Sequence, residues 1–177
     1  YGYMLLHGET GDLSPEQRIA ETQHYYQLAA EQQFHHAVSG LGDLALLRAD
    51  RLLAQPDPHA DSVIQELAAA IRHFDRAQQM GSFWGPIKAA QFLDNPAYAP
   101  YRQQALAAAG LSADQTARDR WKQAVDMGNV FAMDQLALLD LQQGHPDEAR
   151  ALLEQAAQLN YPDAAYHLAQ HLEELYA

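Results

Sequence analysis

The sequence predicts an all-α fold made of repeated pairs of antiparallel helices. Three observations support this prediction. Ala, Leu and Gln, which favour helices, dominate the 177 residues, whereas the strand-favouring residues Val, Ile and Thr are scarce. Hydrophobic residues make up 48% of the chain, which is enough for a folded core. Four segments of the chain also align with one another without gaps, as expected of a repeat protein.

The four aligned segments share a pattern of small and large side chains around a starting alanine. The starting alanines are Ala29, Ala77, Ala124 and Ala156. Seven positions earlier stand the small residues Thr22, Ala70, Ala117 and Ala149, and three positions earlier the large residues Tyr26, Phe74, Trp121 and Leu153. This spacing places small, large and small side chains on one helical face. We therefore expect close helix packing at the small positions, with Phe74 and Trp121 in the core.

A turn is predicted after each of these helices. Four positions after the starting alanines stand Gln33, Gly81, Gly128 and Asn160. Gly and Asn tolerate the left-handed conformation that ends a helix, so the next helix can begin within a few residues.

The periodicity and the helix-breaking residues predict nine helices. Ser14 is expected to cap the first, with Pro15 in its first turn, and Ser112 and the 145–147 stretch are interpreted as further helix starts. The predicted helices lie near 15–32, 35–54, 61–80, 84–93, 101–109, 113–127, 130–142, 146–159 and 162–175.

The repeats are unequal in length. The starting alanines are separated by 48, 47 and 32 residues, which predicts insertions near 55–60 and 94–112, the second ending in a short helix before Gly110. Tyr1 and Gly2 fit the twelfth and thirteenth positions of a truncated first repeat, whose turn spans 7–12. We expect residues 1–177 to form a single domain of four to five repeat units.

The repeat resembles the Sel-one-like repeat, a relative of the tetratricopeptide repeat. The junction from Leu153 through Ala156 and Asn160 to Leu168 follows that family's pattern most closely, whereas the segment around Pro86 departs from it. The thirteenth position is Gly only at Gly2 and Gly42, and Ala in the later units. The resemblance implies a right-handed α-solenoid whose concave face is lined by the first helix of each pair. It also implies an adaptor role in a bacterial protein. Several bacterial members of the family are periplasmic, and some resemble immunity proteins that neutralise secreted toxins.

Charge and composition exclude several function classes. The formal net charge is −12, from 23 acidic and 11 basic residues, so nucleic acid and anionic membranes are unfavourable partners. A basic protein partner is compatible with this charge, although the charge is also what solubility alone requires. The chain has no Cys, which excludes disulfides, thiolate catalysis and cysteine-ligated zinc. No apolar run approaches the ~20 residues that span a bilayer.

No catalytic or cofactor-binding motif is present, so we predict that the chain is not an enzyme and needs no cofactor. GxSxG, P-loop, HExxH and dinucleotide-binding patterns are all missing. The best metal candidate is His167 with His171 and Glu174, which share a helical face. Ordinary surface or packing histidines remain the preferred interpretation, and the loop 57–61 lacks the oxygen spacing of a calcium site.

An aromatic and polar surface on the first helices is the predicted protein-binding site. Large aromatic side chains with scattered polar groups are typical of binding hot spots. The predicted surface comprises His36, Asp43, Trp84, Ile87, Lys88, Gln91, Phe131, Asp134, Gln135, Leu138, Tyr166, His167 and Gln170. The alternative for Trp84 and Phe131 is that they pack into the repeat junctions. Tyr98 and Tyr101 of the second insertion are further candidates, because insertions in repeats often lie on a binding face.

These observations favour a scaffold that binds another protein, such as a basic protein or a toxin, in a concave groove. The alternatives are an immunity-type inhibitor of a secreted toxin, a metal-dependent binder or enzyme using the C-terminal His pair, and a structural role within an assembly. Because the chain begins at Tyr1, we expect that an upstream part has been removed. A periplasmic location is slightly favoured over a cytoplasmic one.

Overall fold

The computed structural model describes residues 13–176 of the chain, with side chains up to residue 173. This part of the chain is all-α, with nine α-helices, one 3-10 turn and no strand, which confirms that the fold is helical throughout these residues. The helices are α1 (Pro15–Glu31), α2 (His35–Leu53), α3 (Ala60–Gln79), α4 (Trp84–Asp94), α5 (Arg102–Ala108), α6 (Ala117–Asp126), α7 (Val130–Gln142), α8 (Pro146–Gln158) and α9 (Pro162–Tyr176). The predictions for Tyr1, Gly2 and the turn 7–12 lie outside the described residues.

Polar side chains begin several of these helices. The hydroxyl of Ser14 accepts a hydrogen bond from the backbone N–H of Gln17, whose side chain accepts in return from the Ser14 N–H, so the predicted cap is confirmed. The prediction for Ser112 is wrong, because α6 begins four residues later than expected. Thr116 caps it through a reciprocal pair with Asp119, whereas Ser112 accepts from Asp114 in a local turn.

The four predicted junctions end with the same hydrogen-bonded closure. Gln33, Gly81, Gly128 and Asn160 all have positive φ, between 62° and 87°, as the turn prediction requires. In each junction the N–H that follows this residue donates to the carbonyl of the starting alanine at 3.0 or 3.1 Å. These bonds are Phe34 to Ala29, Ser82 to Ala77, Asn129 to Ala124 and Tyr161 to Ala156. This closure is the Schellman motif, which ends a helix at all four positions where the sequence pattern repeats, and which also ends α5 at Gly110 and α7 at Gly144.

The chain divides into two compact units, and the first is Tyr1–Gln115. In its described part, α2 packs against α1 and α3, and α3 packs against α4 and α5. Phe74 is fully buried and lies against Gly42 of α2. The second insertion forms the 3-10 turn Pro96–Tyr98 and the short α5.

The second unit is Thr116–Ala177, and its helices α6 to α9 pack in consecutive pairs. Its core is made of small alanines and a few larger side chains, of which Leu153 is fully buried. Trp121 is also buried, so the core assignment of both large residues, Phe74 and Trp121, is confirmed. Within the described residues, no helix is long and apolar enough to cross a membrane.

Candidate binding faces

In the first unit, helices α2 and α4 together form the α2–α4 face, which we define by His36, Asp43, Trp84, Lys88 and Gln91. On each helix these residues are three, four or seven positions apart, so their side chains share one side of it. The Lys88 ammonium lies 2.8 Å from a carboxylate oxygen of Asp43, which joins the two helices. The predicted surface therefore contains a real contact between residues that are far apart in sequence.

Burial changes the electrostatics of this ion pair. Desolvation raises the pKa of Asp43 above its ordinary value of 3.8, while the charge and hydrogen bond of Lys88 lower the pKa and offset part of that shift. Both side chains keep partial exposure, 39% for Asp43 and 26% for Lys88. Because solvent screens a pair at this depth, it stabilises the fold only weakly and leaves both charges within reach of a partner.

In the second unit, helices α7 and α9 form the α7–α9 face, which we define by Phe131, Asp134, Gln135, Tyr166, His167 and Gln170. The carboxylate of Asp134 is only 1% exposed and accepts hydrogen bonds from His167 Nδ1 at 2.7 Å and from Gln135 Nε2 at 3.3 Å. Gln170 donates to the Tyr166 hydroxyl at 3.1 Å. The buried Asp134 thus holds the side chains of His167 and Gln135 in place, and a partner does not reach it directly.

The aromatic residues of the two faces differ in exposure. Trp84 is 38% exposed and Tyr166 is 62% exposed, which makes both available to a partner. Phe131 is half-buried and its ring meets Trp121 edge-to-face at 5.9 Å, so it packs into the junction in part. Ile87 is fully buried and does not belong to the surface that the sequence predicted.

The tyrosines of the second insertion are not freely exposed. Tyr98 is 2% exposed, its ring stacks on Phe92 at 5.6 Å, and its hydroxyl donates to Asp50 at 2.7 Å. Burial and the Asp50 carboxylate both raise the pKa of Tyr98. The expectation that Tyr98 binds a partner needs correction, because this side chain fastens the insertion to α2. Tyr101 is half-buried.

The histidines proposed as metal ligands have other surroundings. His167 is hydrogen-bonded to Asp134, and the side chain of His171 is buried, with 6% exposure. The side chain of Glu174 lies outside the described residues. Among the side chains that are described, no three His, Asp or Glu groups are arranged to hold a metal ion.

Several contacts depend on tertiary packing and were not predicted from the sequence. Arg118 donates to the buried carboxylate of Asp140 at 2.7 Å, and this carboxylate raises the pKa of Arg118. Phe34 and Phe83, which immediately precede α2 and α4, are exposed by 54% and 37%. The sequence could have indicated this exposure, because both residues stand next to a turn, and a turn leaves few neighbours to cover a large side chain.

Comparison with known proteins gives no family for this chain: no family model matches it, and no curated protein is significantly similar to it.

Proposed function

We propose that this chain is a protein-binding scaffold of the helical-repeat class, with helix pairs of the Sel-one-like type stacked as a right-handed solenoid. The four junctions with identical hydrogen-bonded closures support the repeat architecture. The observation that carries the binding role is the same arrangement on both units: an exposed aromatic residue beside an acid–base pair that joins two helices. These groups are Trp84 with Asp43–Lys88, and Tyr166 with Asp134–His167.

This arrangement suits a protein partner because each part contributes differently to binding. An exposed aromatic ring offers a large apolar area with few rotatable bonds, and such rings dominate interface hot spots. The Asp43–Lys88 ion pair and the Asp134–His167 hydrogen bond hold polar groups in fixed positions, which reduces the ordering cost on association. The net charge of −12 favours a partner with a basic surface, since opposite charges speed encounter.

The test is affinity capture of the native partner, followed by titration of the purified partner with variants. Trp84→Ser and Tyr166→Ser should each raise the Kd by at least about tenfold, because loss of a hot-spot side chain costs roughly 2 kcal/mol or more. Tyr25→Ser is the matched control, since Tyr25 of α1 is an aromatic residue as exposed as Trp84, 39% against 38%, and belongs to neither face.

Circular dichroism should show equal helicity in all three variants. If Trp84→Ser and Tyr166→Ser bind the partner as tightly as the unchanged chain does, the assignment of both faces is wrong.

A further inference from the structure

The first unit contains a shallow cavity of about 330 Å³ at the start of α1 and the end of α2, which is widely open to solvent and separate from the α2–α4 face. Its volume falls in the range of small-molecule sites. It is lined by Glu16 and Ile19 of α1, Arg48, Arg51 and Leu52 of α2, and Glu66 of α3.

Among the described residues that line this cavity, the charges are balanced, unlike those of the chain as a whole. Two guanidinium groups and two carboxylates line it, whereas the chain has about twice as many acidic as basic residues. Arg48 is held in place by the side-chain oxygen of Gln23 and by Glu66, whose carboxylate lies 3.9 Å away. Arg51 is exposed, and the described residues give its guanidinium no hydrogen bond or ion pair. Of the two described arginines that line the cavity, Arg51 is therefore the one available to a ligand.

The cavity also has an apolar part, since Ile19 and Leu52 are half-buried and line it. A simple anion would face the carboxylates of Glu16 and Glu66, and a simple cation would face the two arginines. A purely apolar molecule would remove water from these charges without replacing its hydrogen bonds. A molecule that carries a carboxylate, an ammonium group and a small apolar part can place each of these groups beside a side chain of matching character.

We propose that this cavity binds a small zwitterion with an apolar side chain, of the type of a branched aliphatic amino acid. Arg51 binds the ligand carboxylate, which matches the planar fork of a guanidinium group. Glu16 receives the ammonium group, since Glu66 is already paired with Arg48, and the side chain packs on Ile19 and Leu52. This proposal is independent of the protein-binding role of the two faces.

The experiment is titration of the isotope-labelled full chain with L-leucine, followed by NMR. Leucine should shift the backbone amides at the start of α1 and the end of α2, with a Kd on the order of 1 mM for so open a site. Isovalerate lacks the ammonium group and isoamylamine lacks the carboxylate. Each should bind at least about tenfold more weakly than leucine, because each leaves one pair of charges unmatched.

Two variants locate the site. Arg51→Gln should weaken leucine binding by about tenfold or more, whereas Arg76→Gln, which changes an exposed arginine of α3 outside the cavity, should leave it unchanged. Circular dichroism checks that both variants fold. The proposal is overturned if leucine causes no shifts at these amides, if isovalerate binds as tightly as leucine, or if Arg51→Gln binds leucine like the unchanged chain.

Discussion

Phe74 shows how single residues set the spacing of helices in the first unit. Its ring lies where a side chain on Gly42 would stand: a methyl group there would come within 2.7 and 3.0 Å of two ring carbons, and closer still to a third. Gly42 is the thirteenth position of one repeat, and Phe74 lies three positions before the starting alanine of the next. The pairing of a small with a large residue, visible in the sequence, is thus a direct contact between α2 and α3.

Gly42→Ala should therefore destabilise the chain even though Ala favours helices more than Gly. Forcing a methyl group into this packed contact costs typically about 1–3 kcal/mol, against a propensity gain of about 0.5–1 kcal/mol. Urea unfolding measures the difference. In a Phe74→Leu background, the same substitution should cost less, because the smaller side chain leaves room for the methyl group. A Gly42→Ala variant that is more stable than the unchanged chain would show that α2 and α3 separate without penalty.

His73 makes the stability of the first unit depend on pH. Burial lowers its pKa below the ordinary 6.5, and the charges of Arg76 and Arg72 lower it further. Because the unfolded chain binds this proton more readily than the folded chain, folding becomes less favourable as the pH falls below about 6.5.

Replacing His73 by Gln should flatten this part of the stability profile. The unchanged chain should lose at most about 1.4 kcal/mol per pH unit through this group, the slope that one proton gives. Urea unfolding at several pH values between about 7.5 and 5.5 measures the slope. His59→Gln is the control, because His59 is exposed and its side chain makes no capping hydrogen bond at the start of α3. An identical slope in His73→Gln and in the unchanged chain would contradict the assignment.

At the scale of elements, α6 depends on its first turn more than the longer helices do. It has ten residues, and Thr116 and Asp119 exchange hydrogen bonds between side chain and backbone at its start. A short helix has few internal hydrogen bonds. Its stability therefore depends strongly on side chains that bond the N–H groups of its first turn, which have no partner within the helix.

Thr116→Ala should reduce the free energy of unfolding by about 1 kcal/mol, the usual cost of losing such a cap. Ser112→Ala is a stringent control, since Ser112 was the helix start that the sequence suggested. It should change stability by less than about 0.5 kcal/mol, because its hydroxyl accepts only a local turn hydrogen bond at 3.3 Å. Urea unfolding followed by circular dichroism compares the two. Equal losses of unfolding free energy in the two variants would mean that the capping pair at Thr116 stabilises the chain no more than the local turn at Ser112 does.

The error at Ser112 shows which features of the elements sequence patterns can predict. Both Ser112 and Thr116 are good capping residues, and each has an acidic residue within the next three positions, so local chemistry does not choose between them. The helix ends were predictable because a positive φ is required at Gly81, Gly128 and Asn160, and few residue types accept it. A boundary is predictable where the backbone imposes a constraint, and ambiguous where several side chains can satisfy it.

The candidate faces were predictable only in part, for a related reason. Helical periodicity placed Asp43 and Lys88 on the correct sides of their helices, but their contact depends on how α2 and α4 pack. The burial of Tyr98 depends on Phe92 and on the distant Asp50, and no local pattern indicates such a partner. Exposure of an aromatic residue is a tertiary property, and so Trp84 and Phe131, alike in the sequence, differ in the structure.

At the scale of the whole molecule, the excess of negative charge is shared by both units. Acidic residues outnumber basic ones by 13 to 7 in residues 1–115 and by 10 to 4 in residues 116–177. Like charges at this density repel one another in the folded chain and separate when it unfolds, so the net charge reduces stability. Ion pairs of the described residues, such as Lys88–Asp43 and Arg118–Asp140, oppose this effect, but 11 basic residues are too few to pair with 23 acidic ones.

Salt should therefore stabilise the chain at low ionic strength. Raising NaCl from about 10 mM to about 150 mM shortens the screening length from about 30 Å to about 8 Å, which weakens the repulsion between distant carboxylates more than the attraction within close pairs. The melting temperature should rise by roughly 2–4 °C, the shift that about 1 kcal/mol gives in a chain of this size. The double variant Asp57→Asn with Asp114→Asn removes two exposed charges from loops, so it should melt higher at low salt and respond less to NaCl. A melting temperature that falls as NaCl is added would show instead that the ion pairs, and not the net charge, dominate the electrostatic energy of this fold.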